Sequence, residues 1–236
     1  IEEDGRVCIY TDDAENGKKA LKMIEDIAKD IEVGKVYDGK VTRIMNFGAF
    51  VDIGGGTTEV AVVSLGGIVT SNSLRVAGDE LNEDIVNYVK REMNLAIGET
   101  TAEQVKINIG CAKPLLTEES MEIRGRHLAT GLPETAIITS TQVQEAMNDS
   151  IEKIVDIIKQ TLEKTPPELA SDIMERGIVL TGGGALIRNF DSLLAEKTEM
   201  PVYVADHPLE CVAKGAEKTL EDLEKLRTVL SSSRRR

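Results

Sequence analysis

The sequence predicts an α/β fold, and three observations carry the prediction. Short runs rich in Val and Ile alternate along the chain with longer segments of helical periodicity. Apolar runs end directly in Gly-Gly-Gly at residues 54–56 and 182–184. Aromatic residues are only 3% of the chain and Trp is absent, so the core has to be built from Ile, Leu, Val and Ala.

In chain order, Val7-Cys8-Ile9-Tyr10 reads as a short strand, and Leu21, Ile24, Ala28 and Ile31 recur at helical spacing before a stop at Gly34. Val36–Ile44 and Phe47–Val51 read as two strands joined by Met45-Asn46. Val60–Val63 and Ile68–Thr70 flank Leu65-Gly66-Gly67 as a hairpin. A helix is expected over Asp79–Glu92, with Leu81, Ile85, Tyr88 and Val89 on one face, and a second over Ala102–Ile109, with Val105 and Ile109 inward. Met121–Arg124 and Ala136–Ile138 read as strands around a polar turn, His127–Pro133.

The longest helix is expected over Thr141–Glu163, with Val143, Met147, Ile151, Ile154, Ile158 and Leu162 as its stripe and Thr141 with Gln144 as its capping box. Pro166-Pro167 closes that helix and opens another that runs to Arg176. Ile178–Leu180 is a buried strand, Ala185–Glu196 a helix, Val202–Val204 a strand, and Leu209 to about Leu226 the last helix.

Composition narrows the function. A length of 236 residues suits one large domain or two smaller ones. The net charge of −13 repels nucleic acid unless a local basic surface overrides it. The basic run Arg234-Arg235-Arg236 follows Ser231-Ser232-Ser233, and residues 227–236 read as a disordered tail. Cys8, Cys111 and Cys211 are far apart with no C-x-x-C spacing, which suits reduced thiols in the cytoplasm. No apolar run approaches the ~20 residues of a membrane span. The start at Ile1 instead of Met leads us to expect a piece of a longer protein.

The chemistry concentrates in two units, Val51-Asp52-Ile53-Gly54-Gly55-Gly56-Thr57-Thr58-Glu59 and Ile178-Val179-Leu180-Thr181-Gly182-Gly183-Gly184-Ala185-Leu186. Glycines let the backbone come close to a ligand, so that successive N–H groups point at a phosphate. A helix beginning at Ala185 would add its N-terminus to the second unit. Thr57 and Thr58 supply hydroxyl donors, and Asp52, at a strand end, can hold Mg²⁺ through water. Each triplet could instead be no more than a tight turn; two units with flanking Asp and Thr-Thr-Glu favour the ligand-binding reading.

These two units resemble the second phosphate motif and the adenosine motif of the actin superfamily, in the form found in the MreB family. Arg75-Val76-Ala77-Gly78-Asp79-Glu80-Leu81, Ile97-Gly98-Glu99-Thr100-Thr101-Ala102-Glu103, Thr130-Gly131-Leu132-Pro133 and Cys211-Val212-Ala213-Lys214-Gly215-Ala216 are similar to the same family, and the likeness runs from about Val51 to Leu226. The resemblance implies an actin-like, ribonuclease-H-like second domain over 52–226, with a smaller subdomain inserted at roughly 79–140. It implies ATP and Mg²⁺ as cofactors. Gly54, Gly55, Gly56, Thr57 and Thr58 would surround the phosphates and Asp52 the metal. Glu103, Gln104, Val105 and Lys106 would meet the nucleoside, and Gly182, Gly183, Gly184 and Ala185 would lie under the adenosine and α-phosphate.

The implied function is that of a filament-forming cytoskeletal protein of bacterial cell shape. Its partners would be other copies, a RodZ-type adaptor and the cell-wall elongation machinery, and it would reach the membrane only through them. The family's first phosphate loop and catalytic glutamate have no counterpart here, so no catalytic residue is assigned and hydrolysis is expected to be weak or undetectable.

Residues 1–51 resemble a different protein. Ile1-Glu2-Glu3-Asp4-Gly5-Arg6-Val7 is similar to the end of the KH domain of polynucleotide phosphorylase, and Val33–Ile44 with Phe47–Val51 to the first strands of its OB fold. The expectation is an incomplete KH/OB fragment fused at the Gly54-Gly55-Gly56 turn, with Phe47 and Phe50 as stacking candidates and RNA binding weak at best. The alternatives to the cytoskeletal reading are therefore an RNA-binding fragment and a non-functional fusion.

Overall fold

A computed structural model describes residues 47–64 and 67–221. The strands and helices readings over residues 1–46, the turn Leu65-Gly66 and the tail lie outside them.

The main sheet has five strands: β1 (Phe47–Ile53), β2 (Thr58–Ser64), β3 (Gly67–Leu74), β7 (Ile178–Thr181) and β8 (Val202–Val204), in the order β3-β2-β1-β7-β8. β1 is central. It pairs antiparallel with β2, from Phe47 opposite Ser64 to Ile53 opposite Thr58, and parallel with β7, from Ala49 opposite Ile178 to Asp52 opposite Thr181. Its side chains alternate as a strand's must. Ala49, Val51 and Ile53 are buried in the core, while Phe50 and Asp52 lie half-buried on the other face. Phe47–Val51 is thus a strand, as expected, but it is the middle strand of this sheet.

A second sheet has three antiparallel strands: β4 (Leu95–Ala96), between helices α1 (Gly78–Met93) and α2 (Glu99–Ile109) in sequence, and β5 (Ser120–His127) and β6 (Pro133–Thr139), between α2 and the long helix α3 (Ser140–Glu163). α1 buries Leu81, Ile85, Tyr88 and Val89, and α2 buries Ala102, Val105 and Ile109. Val143, Met147, Ile151, Ile154 and Ile158 form the buried stripe of α3, whereas Leu162 is half-buried. α3 packs on α1 and on β2 and β3, joining both sheets to one core.

The chain then runs through α4 (Pro167–Arg176), β7, a 3₁₀ turn at Gly183–Leu186, α5 (Phe190–Thr198), β8, a second 3₁₀ turn at Pro208–Glu210 and α6 (Cys211–Glu221).

Two expected helix starts are corrected. The capping box of α3 is Thr139 with Gln142, not Thr141 with Gln144: Thr139 Oγ1 accepts from the Gln142 N–H at 3.4 Å and Gln142 Oε1 accepts from the Thr139 N–H at 3.0 Å. The sequence offers Thr-x-x-Gln in both frames, and the end of β6 at Thr139 selects the earlier one. Thr139→Ala should lower stability by about 1 kcal/mol, with Thr139→Ser nearly neutral, by urea denaturation. The helix expected over Ala185–Glu196 is a four-residue 3₁₀ turn followed by α5, which begins only at Phe190 after Asn189 in the left-handed region.

Candidate nucleotide site

The first glycine turn leaves β1 and is tied to α1. The Gly54 N–H donates to the Thr57 carbonyl at 3.0 Å, closing the turn. The Gly54 and Gly55 carbonyls accept from the Gly78 and Asp79 N–H groups at 3.1 and 2.8 Å, which satisfies two of the orphan donors at the start of α1. The N–H groups of Gly55 and Gly56 donate to no acceptor among the described residues. They remain available to a ligand.

The second turn leaves β7, one strand away. Gly182 has φ +79°, and a Cβ there would lie 2.3 Å from the Ile53 carbonyl oxygen. At Gly184 a Cβ would lie 2.2 Å from Ile53 Cγ2. These glycines bring the second turn into contact with the end of β1, so the two turns lie side by side because their strands pair.

Both turns open on a cavity of about 530 Å³, large enough for a nucleotide. Of the residues singled out from the sequence, Asp52, Gly54, Gly55, Glu103, Lys106, Gly182, Gly183 and Gly184 line it. Lys106 Nζ donates to the Gly78 carbonyl at 2.8 Å, bridging α2 to the start of α1. Burial pushes its ammonium below the usual lysine range, against the opposing fields of Glu103 and Asp79. Asp52 Oδ1 accepts from the Thr181 hydroxyl at 2.7 Å.

Other expected residues are elsewhere. Thr58 is fully buried and its hydroxyl donates to the Val76 carbonyl at 2.7 Å, so it ties β2 to the loop before α1 and has no hydrogen left for a phosphate. Val105 is fully buried, pointing away from the cavity into the core, because the face of α2 that carries Ala102 and Ile109 carries it too. Ala185 is likewise a core residue. Gly56, Thr57 and Gln104 are exposed and do not line the cavity.

Sequence reading also missed part of the wall. Asp79 stands in the first turn of α1 with a carboxylate oxygen 3.5 Å from where a Cβ on Gly55 would be. Ile107, Leu209 and Val212 line the cavity while remaining 63%, 70% and 64% exposed. The available signal was an apolar residue off the buried face of its helix, as Ile107 is in α2.

Comparison with known proteins places this arrangement. The sequence profile of the MreB/Mbl protein family matches residues 41–228. The chain belongs to the MreB/Mbl family. Cell shape-determining protein Mbl of Bacillus subtilis (strain 168) is 50% identical over 176 residues, which are 75% of this chain and 53% of that protein. Cell shape-determining protein MreB of Escherichia coli (strain K12) is 54% identical over 171 residues, 72% of this chain and 49% of that protein. The chain thus spans about half the length of these relatives. Among solved structures, MreB5 of Spiroplasma citri bound to AMPPNP superposes with TM-score 0.73 at 42% identity, covering 76% of this chain and 54% of that one. The MamK double helical filament superposes with TM-score 0.54 at 26% identity, covering 69% and 50%.

The family assignment corrects the two-parent reading. The MreB/Mbl match begins at residue 41 and runs without interruption across the supposed seam at Gly54-Gly55-Gly56. Phe47–Ile53 is one strand, hydrogen-bonded on both sides to strands of the same sheet. A polynucleotide phosphorylase fragment fused at the turn is therefore rejected. Among the described residues no helix is long and apolar enough to cross a membrane.

Proposed function

We propose that this MreB/Mbl chain forms one side of an adenine-nucleotide site and acts as part of a filament-forming cytoskeletal protein of bacterial cell shape. The observation that carries the reading is the convergence of two glycine turns and Lys106 on one cavity of about 530 Å³ with an apolar wall. The free N–H group of Gly55, which lines the cavity, and the Lys106 ammonium suit phosphates. Ile107, Leu209 and Val212 suit the flat face of a base. A relative with 42% identity holds AMPPNP, which supports the same ligand class here.

A divalent cation fits the donor set. Asp52, Asp79 and Glu103 line the cavity with Lys106, so a polyphosphate would enter a site of net negative charge. Mg²⁺ held by one or two carboxylates and the phosphates themselves removes that conflict, and needs no cage of protein ligands. None is built: no group of three or more His, Cys, Asp or Glu side chains among the described residues could hold a metal alone. Asp52, through its free oxygen, and Asp79 are the residues we assign to the cation. Bound there, it would neutralise phosphate charge; the chain's own groups bind and orient the nucleotide. Self-association follows the likeness to a filament, and a RodZ-type adaptor, a cytoplasmic location and weak hydrolysis belong to the same reading.

Thermal unfolding with and without millimolar ATP and Mg²⁺ tests the site, since a ligand that binds the folded state raises its midpoint. The Lys106→Met chain should need about tenfold more nucleotide for the same rise, the loss of one charge-assisted hydrogen bond. A wild-type midpoint unmoved by ATP and ADP would sink the reading. Sedimentation with and without ATP reads the filament half.

A further inference from the structure

We infer that Thr181 is the positioning residue of the Asp52 carboxylate, selecting which of its two oxygens faces a divalent cation. The inference rests on the nucleotide reading above and adds a residue to it. Asp52 and Thr181 are opposite one another in the parallel pairing of β1 and β7, the last register pair before the two glycine turns diverge. The Thr181 hydroxyl has a single hydrogen; of the two acceptors in reach, Asp52 Oδ1 at 2.7 Å and the Val51 carbonyl at 3.4 Å, the carboxylate is the nearer and the charged one and takes it. No donor among the described residues reaches Asp52 Oδ2, so one oxygen is held by the protein and the other is left for the cavity.

The neighbouring residue protects the same geometry. A Cβ on Gly182 would stand 2.9 Å from Asp52 Oδ1, so glycine at 182 leaves room for that oxygen beside the backbone. Residues 181 and 182 thus act on one atom, the first by donating to it and the second by making space for it. A carboxylate fixed in this way offers one oxygen in one direction. That suits a cation such as Mg²⁺, whose octahedral shell tolerates little misplacement of a ligand. Without the hydroxyl the carboxylate can rotate about χ2, and the fixed orientation is lost.

Thr181→Val keeps the shape of the side chain and removes the donor; Thr181→Ser keeps the donor. The measurement is binding of a fluorescent ATP analogue at fixed concentration while Mg²⁺ is titrated, with the unfolding midpoint recorded for each protein. Thr181→Val should raise the Mg²⁺ concentration for half-saturation by about tenfold, and Thr181→Ser should match wild type within about twofold. Equal Mg²⁺ dependence of Thr181→Val and wild type would overturn the inference, as would an equal loss of binding in Thr181→Ser. If wild type binds no nucleotide, the nucleotide reading fails by itself. A crystal structure of Thr181→Val then decides this one separately: a rotated Asp52 carboxylate supports it and an unmoved one refutes it.

Discussion

Gly182→Ala should cost the fold about 3–5 kcal/mol, a large part of the ~5–15 kcal/mol available to a domain. Two independent effects add here. Gly182 has φ +79° and ψ 174°, a region open to glycine and closed to residues with a Cβ. Any Cβ at that position also meets the Ile53 carbonyl oxygen at 2.3 Å. The obstacle is backbone of the central strand, which cannot swing away as a flexible side chain could. Relief requires β1 and β7 to separate, at the point where Asp52 pairs with Thr181. Urea denaturation checks the magnitude, and a loss under about 1 kcal/mol would show that the turn relaxes independently of β1. Nucleotide-dependent stabilisation should vanish in the same variant, because the turn moves with the strand.

Ile53→Ala should cost about 2–5 kcal/mol, the range for deleting a large aliphatic side chain from a packed core. Ile53 is among the largest fully buried side chains, at the end of the central strand. It also fills the space over Gly184, where a Cβ would lie 2.2 Å from its Cγ2 and 2.7 Å from its Cβ. Gly184→Ala alone is therefore an overpacking change. Combined with Ile53→Ala, the Cγ2 clash is gone, and the approaches to the Cβ at 2.7 Å and the carbonyl oxygen at 3.3 Å remain. The double variant should be less damaged than the sum of the two single ones, by about 1 kcal/mol or more in a double-mutant cycle. Strict additivity would mean that β1 and the second turn do not pack on each other in solution. The cycle also tests the corrected place of Phe47–Ile53, since a strand foreign to this sheet would have no coupling to Gly184.

Much of the fold was legible because its signals are local. The stripes of α1 and α3 repeat at helical spacing, and the residues of those stripes are buried. The hairpin of β2 and β3 follows from two β-branched runs around a glycine-bearing turn. The failures are equally particular. Residues 185–196 have helical composition, yet Gly184 and Ala185 are drawn down onto Ile53 and the core, and the chain needs Asn189 in the left-handed region before α5 can start. Phe47–Val51 has the pattern of a strand and is one, but its likeness to another protein misleads, because a short strand ending in glycines carries no mark of its partners.

The site divides along the same line. Gly54, Gly55, Gly182, Gly183 and Gly184 could be picked out by type, since glycine is the residue that permits close approach and unusual φ. Thr58 has the same chemistry as a phosphate-binding hydroxyl. Only its position inside the sheet, 2.7 Å from the Val76 carbonyl, commits it to the fold. Asp79, Ile107, Leu209 and Val212 come to the cavity from four different elements and carry no shared motif. The sequence by itself determined the α/β class, most helices and strands, and the two glycine turns, because periodicity and backbone freedom are properties of neighbouring residues. The tertiary structure alone decided that β1 lies between β2 and β7, that the two turns share one cavity, and which polar groups remain free to meet a ligand. Those depend on residues distant in sequence, as far apart as Asp52 and Thr181, whose hydrogen bonds and contacts exist only once the sheet has formed.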